Sequence, residues 1–150
     1  MEKITEWIPG LSPAAGVLGL VGGGISALFG GWNAGMTTLA IFMLVDYVTG
    51  LIVAGVFHKS SKTENGAISS RAGWRGLCRK AMTLIIVLIT AQLDKLIGSE
   101  FIRDAVVIAY TVNETISILE NAGLMGVPIP SVITRAVEIL QKQSESGGKQ

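Results

Sequence analysis

Along the chain, apolar runs alternate with polar breaks, and the longest break falls in the middle. Residues 11–32 carry no charged side chain, a stretch of about 33 Å if helical at roughly 1.5 Å per residue. Residues 34–57 form a second apolar run with Asp46 near its centre, and residues 81–97 a third. Residues 101–119 form a fourth run of mixed character. A hydrocarbon core about 30 Å thick needs roughly 20 apolar residues to cross it. The pattern therefore predicts an all-α integral membrane protein, a single membrane domain with four spans and both ends cytoplasmic. Three spans, with 11–32 outside or only partly inserted, is the alternative. Gly123, Gly126, Pro128 and Pro130 then break the fourth helix. Ser131 is placed to cap a shorter amphipathic helix over 131–142. Residues 143–150 are polar and predict a disordered tail. Residues 1–9 place Ile4, Trp7 and Ile8 at helical spacing, which suits a short interfacial helix or a frayed terminus. A cleaved signal peptide fits less well, because Lys3 is offset by Glu2 and Glu6.

The polar interval 58–80 orients the rest. It holds Lys59, Lys62, Arg71, Arg75, Arg79 and Lys80 against one acid, Glu64, and so six of the 12 basic residues. A short basic segment between apolar runs stays in the cytoplasm. Residues 34–57 then enter the cytoplasm at their C-terminal end, and 81–97 leave it.

Polar positions inside the runs carry the functional argument, since an ionisable side chain at membrane depth needs protein or water around it. Asp46 shares a helical face with Thr49 and Gly50; a structural bond to a neighbouring helix and a pore-lining role are both open to it. Thr83, Thr90 and Asp94 recur at steps of seven and four on one face of the third span, with Lys95 able to snorkel at its end. In the fourth span Arg103, Tyr110, Glu114, Ser117 and Asn121 cluster on one side, with Asn113 at the edge. Phe101, Ala105, Ile108, Val112, Ile116 and Leu119 lie opposite. Such a stripe faces a protein partner or a water-filled lumen, unless the helix lies on the membrane surface. Seven glycines fall within 11–32. Gly19 with Gly23, and Gly50 with Ala54, form small-residue pairs that let helices approach closely. In the last helix Ile133, Ala136, Val137 and Leu140 oppose Arg135, Glu138 and Lys142, a docking face for another subunit or the membrane surface.

Composition supports this picture and excludes several classes. Hydrophobic residues make up 49% and charged residues 15% of 150, against about 25% charge in soluble domains; the mean hydropathy is +0.55. A net charge of +1 gives no case for nucleic-acid binding, because the basic cluster is local. One cysteine, Cys78, excludes an intrachain disulfide and a cysteine-based zinc cluster. With one histidine besides, no metal, cofactor or catalytic set is expected.

Three strings resemble the toxin-secretion/phage-lysis holin family. They are Asp46-Tyr47-Val48-Thr49-Gly50, then Gly76-Leu77-Cys78-Arg79-Lys80-Ala81-Met82, and the string Asn113-Glu114-Thr115-Ile116-Ser117-Ile118-Leu119-Glu120-Asn121 followed by Gly126-Val127-Pro128-Ile129-Pro130. The last is the most specific, and the resemblance covers about residues 39 to 140. It implies a small phage-encoded or phage-derived protein of the bacterial inner membrane that oligomerises among lipids. Such a protein opens a lesion through which an endolysin, or a toxin, passes out of the cytoplasm. It carries no enzymatic motif.

Two other functions compete. In a small ion- or proton-coupled transporter or channel, Asp46 and Glu114 would be the coupling carboxylates, although no inverted repeat is visible. A membrane interaction protein, such as an antiholin-like inhibitor or an anchor working through residues 131–140, would conduct nothing.

Overall fold

The computed structural model describes residues 12–147, which form five helices and, among the described residues, no strand. The expected interfacial helix over 1–9 lies outside the described residues.

Helix α1 (Pro13–Leu28) starts where Ser12 Oγ accepts from the Ala15 amide at 3.2 Å, with Pro13 in the first turn. It stops at Gly30 and Gly31, both at positive φ, so it covers 16 residues rather than the expected 22 of 11–32. Helix α2 (Ala34–Ile52) is capped by Asn33, whose Oδ1 accepts from the Met36 amide at 2.9 Å. It runs on as a π-helical turn (Val53–Phe57) and ends at His58, whose φ is +53°.

The largest correction concerns α3. It spans Ser70–Ile97, so the polar loop shrinks from 58–80 to 58–69, and the helix begins eleven residues before residue 81. Charge marks where a helix meets water, not where it ends. Arg71, Arg75 and Arg79, four apart, are all exposed, while Gly76 and Lys80 turn inward. Ser69 supplies the cap, its Oγ accepting from the Ala72 amide at 3.4 Å. Gly98, at φ +70°, closes the other end.

Helix α4 (Phe101–Leu124) is five residues longer than expected. Helix α5 (Ser131–Gly147) also runs on, through part of the segment expected to be disordered, since Gln, Lys and Glu favour helix.

Helix α4 is the centre of the fold: it packs most extensively on α2, then on α3 and α5, whereas α2 and α3 meet little. Its buried residues Arg103, Val107, Glu114 and Asn121 are spaced four, seven and seven apart along one inward face. Phe101 and Ile108 point outward. Most of the polar stripe is therefore covered by protein, while of the apolar side Phe101 and Ile108 are outside and Val112 is buried.

Met36, Leu39 and Met43 of α2, Val87 of α3 and Val107 of α4 form the apolar core, flanked by Phe29, Leu84, Val106 and Tyr110. Two helices, Ala34–Phe57 (α2 with its π-turn) and α3, are long and apolar enough to cross a membrane. Only 28% and 17% of their apolar windows are buried in the fold. A soluble core would cover far more, so these outward faces suit a hydrocarbon surrounding. Helix α4 matches them in length but carries Arg103, Asp104, Glu114 and Glu120. Helix α1 buries no residue and touches mainly α3.

Candidate functional site

Half-way along three helices, the structure gathers the charged residues that a bilayer tolerates least. Asp46 lies near the middle of α2 and its π-turn, Lys80 about 15 Å into α3 from Ser70, and Glu114 near the middle of α4. Lys80 Nζ donates to Asp46 Oδ2 at 2.8 Å and to Glu114 Oε2 at 2.5 Å. Both acids are 6% exposed, deep enough that each needs this partner. On the far side, Asn121 Nδ2 donates to Asp46 Oδ1 at 3.1 Å and to Thr49 Oγ1 at 2.9 Å. Thr49 in turn donates to the Asp46 carbonyl at 3.1 Å. One ammonium and two carboxylates leave the ionised cluster with one formal negative charge.

Beside the cluster, an open cleft of about 370 Å³ separates α3 from α4, lined by Thr83, Tyr110, Asn113, Glu114 and Ser117. A narrower crevice runs between α2 and α3 from the basic loop, past Tyr47 and Gly76, to the same Asp46 and Lys80.

The other end of the bundle holds a second polar set. Asp94 caps α4 by accepting from the amides of Ile102 at 3.1 Å and Arg103 at 2.7 Å. The Arg103 guanidinium donates to the carbonyls of Phe29, Gly30 and Gly31 and to Asp104 Oδ1. Lys95 Nζ donates to the Ala27 carbonyl at 2.6 Å, and Gln92 to that of Leu28 at 2.5 Å. Together these side chains hold the C-terminal carbonyls of α1, where a helix favours cations.

The residues singled out from sequence thus separate by depth. Asp46 and Glu114 come together through Lys80, while Thr83, Tyr110, Asn113 and Ser117 share the neighbouring cleft. Thr90 is buried and donates to the Val87 carbonyl of its own helix. Asp94 and Arg103 are structural clamps at the far end. Gly50 and Ala54 sit at the cluster end of α2, where a Cβ on Gly50 would lie 3.8 Å from Asn121 Nδ2. A Cβ on Gly19 or Gly23 would meet nothing within 4 Å among the described residues. Lys59 and Lys62 stay on the loop.

Lys80, read from sequence as an orientation signal, is also a half-buried ion-pair partner. The signal that could have found it is register, since it lies four residues after Gly76, off the Arg71–Arg75–Arg79 face. Among the described residues, no group of three acidic, histidine or cysteine side chains is placed to hold a metal.

Known proteins agree with this membrane-adapted arrangement: the bacteriophage holin family matches residues 23–142. The chain belongs to that family. Among its relatives, an uncharacterized protein of Halalkalibacterium halodurans is 35% identical over 94% of this chain and 96% of its own length. A 14.9 kDa protein from the nagH 3′ region of Clostridium perfringens is also 35% identical, over 77% and 83%. A probable holin of Bacillus phage phi105 is 28% identical over 71% and 74%. No solved structure matches. The holin family is not a family of enzymes. Its matched segment takes in the ion cluster and the cleft; it begins inside α1 and ends inside α5.

Proposed function

We propose that this holin-family chain inserts in the bacterial inner membrane as a multi-pass protein with its basic loop in the cytoplasm. There it associates with further copies and opens a lesion that lets an endolysin, or a toxin, leave the cytoplasm. The observation that carries this reading is the Asp46–Lys80–Glu114 cluster beside a polar cleft. A chain that must stay harmless while dispersed has to pair its polar groups internally. A chain that must later line water has to keep those same groups on movable helices. An ion triad joining α2, α3 and α4 meets both demands, because separate helices supply its members. The passing cargo needs only an opening and makes no specific contact.

Release of a folded cytoplasmic reporter enzyme from induced cells tests the proposal. Reporter loss at the onset of lysis supports it. Selective, saturable movement of a small solute without protein loss favours a transporter built on Asp46 and Glu114, and neither effect favours an antiholin or an anchor.

A further inference from the structure

Three layers follow one another through the bundle. At the basic-loop end, the crevice and the cleft converge on Lys62, Gly76, Lys80 and Asp46. Beyond the ion cluster the apolar layer of Met36, Leu39, Met43, Val87 and Val107 closes the bundle, with none of the five more than 6% exposed. At the far end lies the Asp94–Arg103 clamp. The order is the same on each helix. Met43 precedes Asp46 on α2, Val87 follows Lys80 on α3, and Val107 precedes Glu114 on α4, always on the side away from the loop.

We infer that the folded single chain contains a one-sided aqueous vestibule. It admits water and small hydrophilic solutes from the cytoplasmic side as far as the Asp46–Lys80–Glu114 cluster, and the Met36–Val107 layer seals it from the opposite side. Two observations support the vestibule independently of the charges. Its walls carry the hydroxyls and amide of Thr83, Ser117 and Asn113, groups that lipid cannot satisfy, and Asn113 is exposed. The cleft and the crevice also both include Lys62 of the basic loop, so the opening reaches from the loop to the ion cluster. The named side rests on the orientation proposed above, with loop 58–69 in the cytoplasm.

Single-cysteine variants of the full chain, in a Cys78→Ser background, test this with a small membrane-impermeant thiol reagent before any lysis. The reagent is applied to right-side-out and to inside-out membrane vesicles. Thr83→Cys and Ser117→Cys probe the vestibule, Val87→Cys the seal, Ser61→Cys the loop and Ser99→Cys the opposite end. The expected result is reaction of Ser61, Thr83 and Ser117 variants at least about tenfold faster in inside-out vesicles, since the thiolate forms only where water reaches. The Val87 variant should react from neither side and the Ser99 variant only in right-side-out vesicles. Silent Thr83 and Ser117 variants beside a reactive Ser61 variant would overturn the vestibule. Reaction at Val87 would overturn the seal. Reaction of Ser61 only in right-side-out vesicles would overturn the cytoplasmic orientation alone, leaving lesion formation to the reporter assay.

Discussion

Lys80 and Glu114 are 34 residues apart in sequence and meet at 2.5 Å, beside a cleft that also carries Thr83, Asn113 and Ser117. Lys80 is the only base on the inward face of α3 at this level, and Asp46 shares it. Replacing it with Met keeps most of the volume and leaves two buried carboxylates facing each other. Lys80→Met should therefore cost about 3–5 kcal/mol of stability, the range for breaking a buried ion pair. Thermal unfolding in detergent measures it. The triple variant Lys80→Met/Asp46→Asn/Glu114→Gln, which removes every charge, should recover much of that loss.

The two acids should respond differently. Asp46 is held by Lys80 and Asn121; Asp46→Asn keeps one oxygen to accept from Lys80 and can donate to Asn121 once that amide turns over, so it should insert and lyse cells nearly on schedule. Asp46→Leu takes one bond each from Asn121 and Lys80, which keep Thr49 and Glu114 as partners, and should cost about 1–3 kcal/mol, the range for a buried polar group that loses a partner. Glu114 lines the cleft as well as the cluster. Glu114→Gln should insert normally and shift the time of lysis. Lysis timing at matched expression separates the cases, and wild-type timing for Glu114→Leu would remove Glu114 from any lumen.

Loop 58–69 depends on one glycine. Gly66 sits at φ +70°, and a Cβ there would come within 2.1 Å of the His58 carbonyl oxygen. Ser60 donates its amide to the Gly66 carbonyl at 3.0 Å, so this glycine also pins the loop. Gly66→Ala should unfold the loop at a cost of about 1–3 kcal/mol, the range for a non-glycine residue forced into such backbone. Trypsin added to inside-out vesicles should then cut faster at Lys59 and Lys62, with α2 and α3 left intact.

Arg103 fastens α1 to the bundle by donating to three consecutive carbonyls, those of residues 29 to 31. No residue of α1 itself is buried. Arg103→Ala should release α1 while the α2–α4 pairing persists. Hydrogen exchange of the detergent-solubilised protein should show α1 amides exchanging at least about tenfold faster, with the amides around Leu39 and Val107 unchanged.

Hydropathy made α2 and the apolar half of α3 legible, and Gly126, Pro128 and Pro130 marked the break after α4. The start of α3 was not legible, because Arg71, Arg75 and Arg79 report the water boundary while the helix passes through it. Periodicity showed that Arg103, Glu114 and Asn121 share a face of α4, and they do. It carried no information about depth, so one stripe was read where the structure has two layers, about 16 Å apart along the axis at roughly 1.5 Å per residue. The Lys80 bridge left no local trace, since its partners lie on other helices.

The length of α1 has a mechanical consequence. Sixteen residues reach about 24 Å, so α1, were it inserted across the membrane, would fall short of a hydrocarbon core about 30 Å thick. A lipid film meets a short inserted segment by drawing its two leaflets together. With α1 clamped at one end by Arg103 and Lys95, it cannot make up the difference by sliding toward the other. Every inserted copy would then dimple the film around it, and where copies gather the dimples merge into a patch weaker than the rest of the membrane.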